Sequence, residues 1–362
     1  MSDWNLEAYL ADGVESLVRD ALRATRHNPR QSAFFARFAL AANAAQKRRQ
    51  RHFEAGRHVP AFLIASITTA CNLHCAGCYA RANHTCTDGA ASDLLTAEDW
   101  DRIFSEAEEI GVSFLLLAGG EPLLRQDVLD RAAAHPNLLF PVFTNGTLFS
   151  GDRMTRFARN RNLVPILSIE GDAARTDARR GPGTYARLRE TMAELQQNQI
   201  LFGVSVTVTT ENLAEVTGET FLALLRDAGC RLVFFVEYVP ADGVSRELAP
   251  TDRERAILQS RLEDLRGGGD PMLYLSFPGD ELASGGCLAA GRGFFHINPR
   301  GGAEPCPFSP YSDVNVKEAG LLGALDSPLF RALTAEDFLR QPHDGGCALF
   351  GKEEQVRQLL SL

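Results

Sequence analysis

Short apolar segments alternate with amphipathic ones through the middle of the chain, and this alternation restricts the fold more than any other feature of the sequence. Segments such as 97–110 and 185–199 have the apolar spacing of amphipathic helices. The six strand-length runs that they separate are 61–68, 113–118, 139–144, 164–169, 202–209 and 232–239. Strands that alternate with helices are typical of βα units and a parallel sheet. Because six strands are fewer than the eight of a closed barrel, the pattern predicts an α/β fold with a partial (β/α)6 TIM-like barrel.

The sequence pattern changes on both sides of this α/β region. Before it, Val14, Leu17 and Val18 recur at helical spacing. After it, a glycine-rich break at 266–271 leads into a segment dense in Gly, Pro and Cys. We therefore predict three parts: an N-terminal helical segment (1–57), a barrel (58–266) and a small C-terminal domain (267–362).

Composition and charge exclude several classes of protein. With 45% hydrophobic residues among 362, the chain can bury one large core and a small appended domain. A net charge of −9 argues against a surface that binds nucleic acid electrostatically. The longest apolar runs are strand-sized, well short of the roughly 20 residues of a membrane helix, so we expect no membrane span. Because the N-terminus has no basic segment ahead of an apolar one, we expect no secretory signal and a cytoplasmic location.

Three of the eight cysteines lie within eight residues, in Cys71-Asn-Leu-His-Cys75-Ala-Gly-Cys78. In a reducing compartment, clustered thiols are more often metal ligands than disulfides. Soft thiolates bind zinc or iron–sulfur clusters. Zinc would need a fourth ligand, for which His74 and Cys86 are available in sequence. Three cysteines without a fourth suit a cubane cluster in which one iron stays open to a substrate or cosubstrate.

This spacing, directly after the first predicted strand, resembles the hallmark of the radical S-adenosylmethionine (radical SAM) superfamily. The resemblance continues through motifs at the ends of later strands, in the family's order. It implies that S-adenosylmethionine is bound by Gly119, Gly120, Glu121, Asn145, Ser168, Glu170, Arg180 and Tyr79. In a parallel barrel the carboxyl ends of the strands lie on one face, so the fold brings these residues together. The sequence departs from the family at Gly77, where relatives often have an aromatic residue before the third cysteine.

The resemblance also implies a function. It implies that a [4Fe–4S] cluster on Cys71, Cys75 and Cys78 receives an electron, from a donor such as ferredoxin or flavodoxin. Reductive cleavage of S-adenosylmethionine then gives a 5′-deoxyadenosyl radical, which abstracts hydrogen from a peptide, protein or small-molecule substrate. We assign no catalytic side chain, because the cofactor carries the difficult chemistry. Ser205 and Thr207 alternate on the fifth predicted strand, so they either point into the barrel or pack in the core. Glu237 and Tyr238, at the end of the sixth, are candidates for the substrate pocket or a buried carboxylate and ring.

The C-terminal segment contains Cys287, Cys306 and Cys347, and a hairpin is predicted at 294–302, leading into Pro305-Cys306. It resembles the SPASM or shorter "twitch" extension, which implies one auxiliary [4Fe–4S] cluster on these three thiolates. A substrate, a water or a side chain such as His296 or Asp313 would complete that cluster. Cys86, eight residues after Cys78, could approach either cluster and is interpreted as a free or weakly buried thiol. Cys230 is interpreted as a core thiol.

One function from a different class remains compatible with the residues. A non-catalytic iron–sulfur or zinc protein, serving electron transfer or as a scaffold, would also bind metal at Cys71, Cys75 and Cys78. Such a protein would not cleave S-adenosylmethionine.

Overall fold

The computed structural model describes residues 28–89, 91–241, 243–270, 272–278, 285–335, 338–340 and 347–360, together with residues 19 and 25. The helices are α1 Pro29–Glu54, α2 Tyr79–Ala82, α3 Ala97–Ile110, α4 Gln126–Ala133, α5 Gly151–Arg159, α6 Ala173–Arg180, α7 Thr184–Gln197, α8 Leu213–Val216, α9 Glu219–Asp227, α10 Asp252–Gly267, α11 Val316–Leu325, α12 Pro328–Ala335 and α13 Glu353–Leu360. The strands are β1 Phe62–Ser66, β2 Phe114–Ala118, β3 Phe140–Thr144, β4 Leu163–Ser168, β5 Gly203–Val208, β6 Leu232–Glu237, β7 Leu273–Phe277, β8 His296–Ile297 and β9 Ala303–Glu304. Single turns of 3-10 helix lie at Pro122–Leu124, Arg246–Leu248 and Phe350–Lys352. Within the described ranges, every helix is too short or too polar to serve as a membrane span.

The strands form one sheet in the order β7-β6-β5-β4-β3-β2-β1-β8-β9. All neighbours are parallel except β8 and β9, which form the predicted hairpin. The helices between the strands cover one face, and the other face curls around a cavity. This architecture confirms the predicted α/β partial barrel.

The sheet continues past the boundary that the glycine-rich break suggested. Strand β7 pairs with β6 in parallel, from Leu232 opposite Leu273 to Val236 opposite Phe277. The break at 266–271 therefore connects α10 to one more parallel strand. The glycines interrupt the alternation of helices and strands in the sequence because they form the turn between α10 and β7. The division into three domains remains a prediction.

Helix α1 closes the end of the barrel opposite to the strands' carboxyl ends. Phe35 and Phe38 are buried against Phe114, the first residue of β2, and against residues at the start of neighbouring strands. The rings of Phe38 and Phe114 lie 5.5 Å apart in an edge-to-face arrangement. Of the predicted helical segment 1–57, residues 29–54 form this helix. The stripe at Val14, Leu17 and Val18 lies outside the described residues.

Shortening a side chain in this interface should destabilise the fold. The substitution Phe38→Leu should lower the free energy of unfolding by about 1.5 kcal/mol, because Phe38 is fully buried and the smaller side chain leaves a partial cavity. Phe53→Leu, at a ring on the same helix that is 47% exposed, should change it by less than about 0.5 kcal/mol. Urea denaturation measures both. Equal losses for the two variants would contradict the docking of α1 on the barrel.

Candidate functional site

The loop between β1 and α2 places three thiols at the mouth of the barrel. Cys71, Cys75 and Cys78 are each half-buried. All three line a cavity of about 470 Å³, which we call the inner cavity. The three cysteines that the sequence spacing grouped together therefore form part of the wall of this cavity.

Two neighbouring segments hold this cysteine loop in place. On one side, the backbone N–H of Cys71 donates to the carbonyl of Thr87 (3.0 Å), and Thr87 donates in turn to Thr69 (2.8 Å). On the other side, Ala76 and Arg179 exchange two hydrogen bonds. The Ala76 N–H donates to the Arg179 carbonyl (2.8 Å), and the Arg179 Nε donates to the Ala76 carbonyl (3.1 Å). These hydrogen bonds hold the loop at Cys71 and again at Ala76.

A fourth thiol contacts the loop from the segment that follows α2. Cys86 is buried and lines the inner cavity. A hydrogen bond between Cys86 and Cys71 lowers the pKa of the Cys71 thiol to about 6, although burial opposes this shift. A lowered pKa favours the thiolate, which is the form that binds metal. His74, the other residue considered as a zinc ligand, is largely exposed and pairs with Asp88 at 2.8 Å.

Gly119 and Gly120, which follow β2, line the inner cavity where a backbone passes close by. A Cβ on Gly120 would lie 2.1 Å from the carbonyl oxygen of Ala70, so no larger residue fits. Gly119 has a φ of +123°, which disfavours any residue with a side chain. These glycines leave peptide groups facing the cavity beside the cysteine loop.

Glu121, the third residue of this motif, is buried and is not among the residues that line the inner cavity. One carboxylate oxygen accepts from the Leu123 N–H (3.0 Å) and the Thr144 hydroxyl (2.6 Å), and the other accepts from the Asn145 N–H (2.8 Å). Burial raises its pKa to about 7, against the effect of these hydrogen bonds. Glu121 thus links the ends of β2 and β3. Its contact with S-adenosylmethionine remains a prediction.

Glu170 lies between two arginines at the end of α6. Its carboxylate is almost fully buried and accepts from Arg179 Nη1 (2.8 Å) and Arg180 Nε (2.7 Å). The other carboxylate oxygen accepts from the Thr207 N–H at 3.2 Å. Arg180 Nη1 in turn lies 4.0 Å from the sulfur of Cys75. Glu170 therefore positions Arg180 beside the cysteine loop and does not itself line the inner cavity.

The remaining predicted cosubstrate residues do line the inner cavity. Asn145, Ser168, Arg180 and Tyr79 contribute to its wall. Other polar residues of the wall are Ser205, Thr207, Glu237 and Tyr238. The apolar part of the wall comes from strands β1, β2, β3 and β6 and includes Phe62, Ile64, Leu116, Phe143 and Phe234. Sequence reasoning therefore located most of the polar wall.

A second cavity of about 490 Å³, the outer cavity, adjoins the first near α6. It is more open to solvent and includes residues of the loops that follow β5 and β6. Four residues line both cavities: Gly77, Arg179, Thr207 and Tyr238. Sequence reasoning missed the pairing of Gly77 with Tyr238, although the unusual glycine at 77 was a signal.

The C-terminal cysteines pack into the main core. Cys287 and Cys306 are buried, and Cys347 packs against the same core from a half-buried position. Burial raises the pKa of Tyr79, and the nearby thiols of Cys78 and Cys306 raise it further. Tyr79 therefore lies between the cysteine loop and the C-terminal hairpin.

The two side chains considered as a fourth ligand for these cysteines are already engaged. His296 contacts Glu304 through Nδ1 (2.7 Å) and Ser66 through Nε2 (2.8 Å). Asp313 accepts from the Ser327 hydroxyl and the Leu329 N–H. Either side chain would have to give up these hydrogen bonds in order to bind a cluster.

A model of the radical SAM superfamily matches residues 65–240, which span the cysteine loop and β2 to β6. Residues 65–240 are a radical SAM domain. It is 27% identical over 287 residues to the AdoMet-dependent heme synthase of Methanosarcina barkeri, covering 72% of this chain and 80% of that protein. It is 28% identical over 326 residues to the mycofactocin maturase MftC of Mycobacterium ulcerans, covering 84% of each. Together these comparisons identify an enzyme of the radical SAM type.

Solved structures show the same fold. The crystal structure of Streptococcus suis SuiB bound to precursor peptide SuiA matches with a TM-score of 0.65 and 17% identity. The match covers 80% of this chain and 70% of SuiB.

The site fits the iron–sulfur cluster and S-adenosylmethionine that radical SAM membership implies. Three thiols lie on one short loop and face a cavity, and a buried arginine approaches Cys75. Soft sulfur ligands suit iron–sulfur clusters, and the adjacent cavity leaves room for a cosubstrate beside the loop.

Glu237 gives the inner cavity a pH-sensitive group. One of its oxygens has no hydrogen-bond partner among the described residues, and burial raises its pKa from 4.5 to about 7. A folded-state pKa above the unfolded value means that stability is lost as pH rises from about 4.5 to 7.

The substitution Glu237→Gln removes that titration. As pH rises from 4.5 to 7.5, the free energy of unfolding of the variant should increase relative to that of the natural protein by up to about 3 kcal/mol. Urea titrations at a series of pH values measure the difference. Parallel stability curves for the two proteins would contradict a raised pKa for Glu237.

Proposed function

We propose that this radical SAM enzyme holds its catalytic [4Fe–4S] cluster on Cys71, Cys75 and Cys78 and acts on a peptide substrate. When bound, the cluster and S-adenosylmethionine supply reductive cleavage and hydrogen abstraction. The observation that carries the proposal is the position of the cysteine loop, which faces the inner cavity at its boundary with a more open one.

In this proposal the protein binds and orients the cosubstrate. The backbone at Gly119 and Gly120 approaches it closely, and hydrogen bonds come from Asn145 and Ser168, which line the same cavity. Arg180 and Tyr79, which line the same cavity, complete the set of residues that would contact it. Glu121 and Glu170 hold these groups in position through the hydrogen bonds described above. The apolar inner wall excludes water around the reacting atoms.

The outer cavity supports a substrate of which only one part enters the barrel. A peptide fits this description, because one side chain can reach the inner cavity while the backbone stays outside. The similarity to a maturase over most of both chains supports the same reading, as does the shared fold of SuiB, crystallised with a precursor peptide. The similarity to a heme synthase favours a second candidate, a tetrapyrrole substrate.

An anaerobic assay separates the two candidates. The reconstituted enzyme is given dithionite and S-adenosylmethionine with either a pool of synthetic peptides or a tetrapyrrole, and 5′-deoxyadenosine is measured by chromatography. A peptide pool that raises 5′-deoxyadenosine production, with peptides changed in mass, supports the proposal. Stimulation by the tetrapyrrole alone would replace the peptide with a cofactor precursor.

We also propose one auxiliary [4Fe–4S] cluster on Cys287, Cys306 and Cys347, within a SPASM or twitch-like extension. Leu288, Pro307 and Phe308, which adjoin two of these cysteines in sequence, line the inner cavity. A cluster there would lie next to the site of reaction. The electron donor in this proposal is a ferredoxin or flavodoxin of the cytoplasm.

A further inference from the structure

The boundary between the two cavities is built from three separate parts of the chain. Gly77 belongs to the cysteine loop, Arg179 to the end of α6, and Tyr238 directly follows β6. Tyr238 is the largest side chain among the residues that line both cavities, and it is 4% exposed. Its ring therefore occupies the place where the two spaces meet.

The ring of Tyr238 fills the space that Gly77 leaves. A Cβ built on Gly77 would lie 2.4 Å from the Tyr238 hydroxyl oxygen and 2.8 Å from Cε2. Gly77 also has a φ of +63°, a conformation that glycine adopts without strain. For both reasons the cysteine loop has no side chain at this position, and the ring of Tyr238, which follows β6, lies there instead.

Further contacts fix the orientation of the ring. The Tyr238 hydroxyl lies 2.5 Å from the hydroxyl of Ser245, in the loop that borders the outer cavity. The guanidinium of Arg179 lies over the ring at 5.8 Å, within the range of a cation–π interaction. Arg179 is itself held by Glu170 and by Ala76 of the cysteine loop. The ring is thus held from the outer side as well as from the loop.

We propose that Tyr238 is the partition between a cosubstrate compartment, the inner cavity, and a substrate compartment, the outer cavity. This inference rests on the proposed function. The ring limits how far a substrate advances, so that only the part that passes its edge meets the deoxyadenosyl group. It also keeps small molecules in the outer cavity away from that group. Tyr238 is therefore a residue that determines specificity.

Small hydrogen donors test the partition without a known substrate. Reconstituted enzyme is reduced with dithionite in the presence of S-adenosylmethionine and fully deuterated 2-propanol. If the alcohol reaches the 5′ carbon, its C–D bond breaks, the deuterium forms the new bond at that carbon, and the alcohol carbon is left as the radical. Mass spectrometry gives the fraction of 5′-deoxyadenosine that carries deuterium.

Tyr238→Ala should raise this fraction on the order of ten-fold, because without the ring the alcohol can come within reacting distance of the 5′ carbon. Tyr238→Phe keeps the ring, and Tyr311→Ala removes a tyrosine that lines neither cavity, so both should stay within about two-fold of the natural protein. An unchanged fraction in Tyr238→Ala overturns the proposal.

A second readout needs neither cluster nor turnover. Crystals of cluster-free Tyr238→Ala should show one continuous cavity where the natural protein has two. Two separate cavities in that variant would overturn the partition. If the natural enzyme forms no 5′-deoxyadenosine, the proposed function fails, and the crystal structure still decides the role of Tyr238.

Discussion

Replacing Cys75 with alanine is expected to abolish both the catalytic cluster and the cleavage of S-adenosylmethionine. Two thiolates on the loop cannot hold a cubane that requires three, so bound iron should fall by about four per chain. Formation of 5′-deoxyadenosine under dithionite should fall on the order of a thousand-fold or more. Iron analysis and chromatography measure the two effects on the same anaerobic sample.

Cys230→Ala is the matched control for this experiment. Cys230 is fully buried in the core, where its thiol donates to the carbonyl of Leu232, and it lines neither cavity. The control should keep the iron content and activity of the natural protein. Full activity in Cys75→Ala would show that the cluster is held elsewhere.

Replacing Glu170 with alanine is expected to cause the largest loss of stability among the variants considered. The carboxylate is buried between Arg179 and Arg180, so its removal leaves two cations without their partner. Removing one member of a buried ion pair costs about 4 kcal/mol. Arg180 should also lose its position beside Cys75, so S-adenosylmethionine should bind more weakly. Urea denaturation and equilibrium dialysis measure these effects.

The neighbouring pair of Arg175 and Glu215 provides a comparison at the surface. Its atoms lie 2.6 Å apart, but about a third of each side chain is exposed. Glu215→Ala should therefore cost less than about 1 kcal/mol, because water screens a pair of this kind. Equal losses of stability in Glu170→Ala and Glu215→Ala would show that burial does not make the ion pairs of Glu170 with Arg179 and Arg180 stronger than the surface pair.

Local patterns in the sequence were sufficient for the fold and for the cysteine loop. All six predicted strands are present in the structure. They could be predicted because each strand carries its own apolar run, which is a local signal of burial. Strand β7 was missed because glycines that shape its preceding turn look like a domain boundary. The position of α1 at the closed end of the barrel was also missed, since its phenylalanines indicate burial but not the surface that buries them.

The contacts that organise the site depend on residues that are distant in sequence. Motif order identified Glu121 and Glu170, but their hydrogen bonds to Asn145 and Arg179 appear only when the strand ends come together. The same holds for Gly77 and Tyr238, which lie far apart in the chain and touch in the fold. Sequence patterns therefore predict which residues surround the site better than they predict what each residue contacts.

The most direct test of radical SAM catalysis in this chain is the formation of 5′-deoxyadenosine. The protein is purified and reconstituted without oxygen, analysed for iron and zinc, and incubated with dithionite and S-adenosylmethionine beside a Cys71/Cys75/Cys78→Ala variant. We predict iron near eight per chain if both clusters form, or near four with the catalytic cluster alone. We also predict 5′-deoxyadenosine that is absent from the variant. Bound zinc, or bound iron without cleavage of S-adenosylmethionine, would contradict the account and favour a metal-binding scaffold.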